Sequence, residues 1–200
     1  MTVPYRQIRA VYDAETVTVY QAYSAEIALP AVAHQKLSAS PAFSPTRMTW
    51  IKPSWAWMMY RAGYSYKDPR QSHILALKMK HQHFRELLIQ AVVVGNHPGP
   101  LTEEEKEKGV RVQWDPERDA RLGVLPYRSI QIGIQRGVGK VWTEGWICGI
   151  EDVTGKARAL KKFLDENPKI DLTTLQEKGL MPLERVYPVD EELKEMLKMT

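Results

Sequence analysis

"RMTWIKPSWAWMMYRAGYSYK", Arg47 to Lys67, gathers three of the chain's six tryptophans and three of its nine tyrosines. Pro53 suits the first turn of a helix and Gly63 its C-terminal end, so the segment between them reads as a helix. With Ser54 to Arg61 helical, Trp55, Met58 and Met59 fall on one broad face, and Ala56 and Tyr60 share the opposite side. Trp57 and Arg61 stand at i and i+4 and are neighbours. Most of these apolar atoms must be core, so the helix has to pack on another layer. Lys52 precedes Pro53 and is expected in extended backbone at the helix mouth, off the buried face. Arg47, Lys52 and Arg61 are expected to turn outward and converge on a phosphate, with Trp50 or Trp57 free to stack on a base or ribose.

The flanking segments alternate between strand and helix patterns. "QIRAVYD" and "TVTVYQAY" are short and rich in β-branched and aromatic residues, as strands are, although a strand leading into a helix also fits. "SAEIALPAVAHQKL" has helical spacing behind Ser24, with Pro30 expected to break or kink it. "SASPAFSPT" is a Ser/Pro loop. "SHILALKMK" reads as a strand and "HQHFRELLIQAV" as the helix after it. "NHPGPLTEEEKEKG" is an exposed loop or the frayed start of an acidic helix. "VRVQWDP" and "YRSIQIGIQ" alternate as two strands around the loop "ERDARLGVLP". "GKVWTEGWICGIEDV", "KARALKKFLDEN" and "DEELKEMLKM" are expected to be helical. The expectation is one α+β domain over residues 1–200, with a mainly antiparallel sheet, flanking helices and a helical C-terminal part over about 152–200.

Composition bounds the function. Two hundred residues, 44% hydrophobic and 26% charged, suit one folded domain with a sizeable core. The net charge of +4 is compatible with a polyanionic partner. The only acids among residues 1–100 are Asp13, Glu15, Glu26, Asp68 and Glu86, so the first half carries the electropositive surface. A single cysteine, Cys148, rules out an internal disulfide and any cysteine-rich zinc site, and its apolar context suggests a buried, inert thiol. The N-terminus, "MTVPYRQIRAVYD", has no apolar core of signal-peptide length, and no run approaches the roughly 20 apolar residues of a bilayer span, so a soluble, cytoplasmic protein is expected.

Motifs exclude more than they assign. "GIQRGVGKVW" lacks the hydroxyl residue after Gly139-Lys140 and has its upstream glycine out of register, which disfavours a nucleotide-phosphate loop. Of the histidines His34, His73, His81, His83 and His97, only His81 and His83 are close. No carboxylate or cysteine completes a metal pattern beside them, so no metal is expected, and surface histidines are the simpler reading than a general base. "QWDPERD" gathers Asp115, Glu117 and Asp119 around Arg118. Asp115-Pro116 is either a structural turn with a salt bridge or the site of a strand-end carboxylate that acts as a base or orients a nearby Arg.

Four blocks, "IRAVYDAETVTVYQAYS", "RMTWIKPSWAWMMYRAGY", "VQWDPERD" and "RSIQIGIQ", resemble the signature segments of the domain of unknown function 4291 family. The likeness covers about residues 8–151. It implies a nucleotide-independent RNA ligase that joins a 2′,3′-cyclic phosphate end to a 5′-hydroxyl end, needs no cofactor, and has broken or single-stranded RNA as its partner. It places catalytic weight on Lys52, Arg61, Arg9, Asp115 and Tyr12. It places substrate contacts on Arg47, Trp50, Trp57, Tyr20, Tyr23, Gln113, Arg118, Arg128 and Gln131, and leaves the histidine pair outside the pattern. The strained cyclic phosphate carries the energy of such a reaction, so positioning, a base and cations around the phosphorane would suffice. A non-catalytic RNA-binding module, or an enzyme acting on a nucleotide or another phosphorylated metabolite, would use the same cation–aromatic inventory.

Overall fold

The expected antiparallel pairing is present but divided among three sheets. The computed structural model of the chain describes residues 3–95 and 100–200. His97 and part of the loop segment around it lie outside the described residues.

The β-branched run Thr16–Tyr23 forms β2, after the short β1 at Arg9–Ala10. β2 pairs along its whole length with β4, His73–Lys80, and β4 pairs in turn with β8, Ile147–Asp152, all antiparallel. A second sheet runs β3 (Thr49–Ile51), β7 (Val124–Ile134), β6 (Val110–Arg118), β5 (Ala91–Val93), with only β5–β6 parallel. A third joins β1 to β9, Arg185–Val186.

Alternation along these strands builds the core. Val17, Val19, Leu75, Leu77 and Met79 from the first sheet meet Val110, Val112, Trp114, Ile130, Ile132 and Ile134 from the second in one buried cluster. Phe84, Leu87 and Leu88 of α3, His81–Ile89, and Trp142 complete it. Tyr20, Ile74 and Ala76 join a second cluster with α2, Trp55–Ala62, and with α6, Thr154–Glu166. The opening stretch therefore forms the expected helix, with Gly63 in the left-handed conformation that ends it. α1, Ala25–His34, runs through Pro30 without breaking. The remaining helices are α4 (Glu103–Glu107), α5 (Arg136–Val141), α7 (Leu172–Glu177) and α8 (Glu191–Met196).

Several local expectations change. Ile147–Asp152 is a strand, because its backbone completes the ladder along β4. Cys148 on that strand is exposed, with its thiol 3.4 Å from the Lys78 carbonyl. α3 stops at Ile89, and Ala91–Val93 continues as a strand beside Val110–Val112. Asp115-Pro116 lies within β6, since β5 stops opposite Val112 and leaves an open edge that tolerates the missing N–H of Pro116. The turn falls at Asp119, whose carboxylate accepts from the Arg121 and Gly123 amides. Residues beyond 152 are mostly helical but do not form an appendage: Ala157, Leu160 and Leu164 pack on α2, and Tyr187, Leu193 and Leu197 enter the main core. Among the described residues no helix is long and apolar enough to cross a membrane.

Candidate functional site

The odd-numbered residues of β6 turn away from the core. Gln113 and Asp115 lie opposite Gln131 and Ser129 of β7, and Trp50 of β3 pairs with Gly133. A Cβ on Gly133 would stand 2.9 Å from the Trp50 ring, so glycine there lets the indole lie flat across the strand. This polar face is the floor of a cleft of about 660 Å³. Its walls come from the end of β2 (Gln21, Tyr23), the Ser/Pro loop (Phe43, Ser44, Arg47) and α2 (Trp57, Arg61).

Lys52 occupies the seam between the two larger sheets. Its N–H and C=O bond to the C=O and N–H of Tyr20, at 3.1 and 2.7 Å. The extended backbone expected before Pro53 is present, but the side chain is not turned outward: Lys52 is 3% exposed at the cleft floor. Its ammonium lies 4.8 Å from the centre of the Trp57 ring and 3.4 Å from the Trp50 carbonyl, with no carboxylate in ion-pair contact among the described residues. Burial pulls its pKa from the ordinary 10.5 down to about 7, Arg61 adds to the depression, and Asp115 opposes it.

Arg47 and Arg61 do face outward, both exposed at the cleft wall, and Arg61 donates to Gln71 at 3.0 Å. Trp50 is half-buried and lines the cleft. Trp57 also lines it but is 7% exposed, with one face taken by Lys52, so it is a wall and not the free stacking platform expected.

Asp115 shares this polar face of β6 but does not line the cleft. Its Oδ1 accepts from Gln113 at 3.1 Å, and its Oδ2 is buried without a partner. Burial raises its pKa against the opposing pull of Lys52, Arg128, Gln113 and Arg118. Arg128 and Arg118 belong to this electrostatic surround and not to the cleft wall. Arg128 donates to the Tyr5 hydroxyl at 2.7 Å, and the Arg118 guanidinium stacks 3.8 Å over Tyr60.

Three expected site residues are elsewhere. Arg9 lies 5.6 Å from the centre of the Tyr127 ring and acts electrostatically on Glu117 and Glu184. Tyr12 donates to the Val186 carbonyl at 2.9 Å and packs edge-on against Tyr187, under Arg185. Tyr20 is 4% exposed against Trp55, on a second cleft, and burial pushes its hydroxyl pKa well above the usual range. All three side chains are diverted because their strands also feed the second cluster and the β1–β9 sheet. Among the histidines, His81 contacts Tyr187 at 2.9 Å and the Asp13 carbonyl, while His83 stacks on Trp146. No group of three or more metal-ligating side chains converges among the described residues.

Sequence reasoning missed two features of the site. Gln21, one strand step before Tyr23, lines the cleft, and alternation along β2 was the signal that could have found it. Ser54 and Glu184 hold the mouth of α2. Ser54 accepts from the Trp57 amide and donates to Glu117 at 2.8 Å, and Glu184 accepts from the Trp55 amide at 2.6 Å. Burial and the neighbouring Glu117 push the Glu184 pKa up to about 8.

No curated protein matches the chain significantly. The model of a family described as a domain of unknown function (DUF4291) matches residues 7–187, and so extends past the four recognised blocks through the α6 and β9 region. With its signature segments forming both the cleft and the strands beneath it, the chain belongs to the DUF4291 family.

Proposed function

We propose that the cleft is the active site of a nucleotide-independent RNA-end-joining enzyme that seals a 2′,3′-cyclic phosphate to a 5′-hydroxyl. The observation that carries this reading is Lys52, a buried lysine whose pKa of about 7 leaves it half deprotonated at neutral pH, beneath two exposed arginines. Neutral Lys52 takes the proton of the attacking 5′-hydroxyl, and that oxygen bonds to phosphorus. The P–O2′ bond of the ring breaks, and the freed 2′ oxygen takes a proton from solvent. Arg47 and Arg61 carry the charge of the phosphorane, and Trp50, flat against Gly133, offers its other face to a base or ribose. Asp115, next to Gln113 on the same face but outside the cleft lining, acts through Lys52 and Gln113 and not on the substrate. Ring strain drives the step, so no nucleotide is consumed.

The test is incubation of the protein with a cyclic-phosphate RNA and a 5′-hydroxyl RNA, without nucleotide or metal. Joined product is expected at a rate that rises through about pH 7 as Lys52 loses its proton, and Lys52→Ala or Arg61→Ala should abolish it in folded protein. No joined product from the wild-type protein overturns the reading. The size of the cleft favours a second reading, an enzyme acting on a mononucleotide or other phosphorylated metabolite, since about 660 Å³ suits a small ligand.

A further inference from the structure

The inner end of the cleft carries groups that the phosphate chemistry does not use. Gln21 lines it, and the Oε1 atom of its amide is buried with no hydrogen-bond partner. Tyr23, also lining it, is 8% exposed; its hydroxyl has Thr49 beside it but meets no partner at hydrogen-bonding geometry. Burial pushes that hydroxyl's pKa up to about 12, so it remains a neutral donor at physiological pH. The Tyr23 ring is held edge-on by Phe43, 6.1 Å between centroids, which fixes its position at the back wall.

Buried polar atoms are nearly always paired, and two unpaired ones on successive inward-facing positions of one strand, both lining a cleft, are groups that a ligand entering it can pair. The arrangement is specific in kind. An amide oxygen accepts from N–H, and a phenol donates to a ring nitrogen or carbonyl. Both sit in the cleft whose wall includes Trp50, Arg47 and Arg61. Phosphate offers no donor to Gln21, and a ribose hydroxyl would not need an aromatic back wall. A nucleobase with an exocyclic amino group supplies a donor for Gln21 beside an acceptor for Tyr23, as glutamine does when it reads adenine edges in other settings.

We propose that Gln21 and Tyr23 form a base-reading subsite that prefers nucleobases bearing an exocyclic amino group over those with a carbonyl in its place. The proposal rests on the reading of the cleft as a nucleotide-end site and specifies which ends it holds best. The amino base donates a hydrogen bond to the buried Gln21 oxygen, whereas a carbonyl base brings that oxygen no donor, so discrimination comes from the bond made to the amino base.

The experiment measures equilibrium binding of four nucleoside 2′,3′-cyclic monophosphates through the tryptophan fluorescence of the full chain. Cytidine is compared with uridine and adenosine with inosine, pairs that differ at the amino position. The amino member of each pair should bind about tenfold more tightly. Gln21→Leu should bring each ratio close to one while leaving the weaker ligand's affinity in place, and Tyr23→Phe should narrow the ratios. Equal binding within both pairs, unchanged ratios in Gln21→Leu, or no binding of any of the four overturns the proposal. The joining assay is scored separately. Discrimination without joining upholds the subsite and sinks the ligase reading, and joining with equal binding does the reverse.

Discussion

Replacing Lys52 by methionine should make the protein more stable, and by an amount that depends on pH. A lysine whose pKa is depressed in the folded state contributes stability that is present above its unfolded value and lost as pH falls to the folded one. Folding here holds Lys52 near 7 against the ordinary 10.5. At about 1.36 kcal/mol per unit, the full penalty at acidic to neutral pH is about 5 kcal/mol, of which about 4 kcal/mol develops between about pH 10 and pH 6.5. Methionine keeps a stem of similar length against Trp57 without a charge to desolvate. Urea unfolding of the two proteins at several pH values reads the difference directly. The variant's midpoint should exceed the wild type's by roughly 2 M near pH 6.5 and converge on it near pH 10. Comparing the two proteins at each pH cancels the titration of every other group they share. A midpoint difference that stays constant over this range would refute the argument, because it would mean that Lys52 carries the same charge in both states. Greater stability joined to lost activity is the pattern expected where a fold bears strain at its functional site.

Two further outcomes concern the mouth of α2. Ser54→Ala removes both the cap on the Trp57 amide and the donor to Glu117, and should lower unfolding free energy by about 1–3 kcal/mol; a loss within error of zero would mean that water replaces the hydroxyl. Glu184, with its pKa raised from 4.5 to about 8, contributes stability that is present below its unfolded value and lost as pH rises through about 8. Glu184→Gln keeps an acceptor for the Trp55 amide and should flatten that decline in a pH series of urea melts, whereas a slope equal to the wild type's would place the titration elsewhere.

Local signals specified the elements they could reach. Pro53 and Gly63 bracket α2 because a proline's fixed φ and a glycine's left-handed freedom act within one turn, whatever the rest of the chain does. Alternation placed β2, β4, β6 and β7, and the exposed arginines at positions 47 and 61 followed from the same reasoning. Position 52 shows where that reasoning stops. Its extended backbone was legible from Pro53, but its burial follows from pairing with Tyr20, a partner in a different sheet, and its lowered pKa follows from that burial. Tyr12 and Tyr20 look like site tyrosines in sequence and are turned to other neighbours by the β1–β9 pairing and by the packing of Trp55. Ile147–Asp152 likewise became a strand only because β4 had a free edge. The amino-acid sequence alone determined the helix, the strands and the pool of cations and aromatics. Long-range pairing decided which of them meet in one cleft and which lysine loses its water.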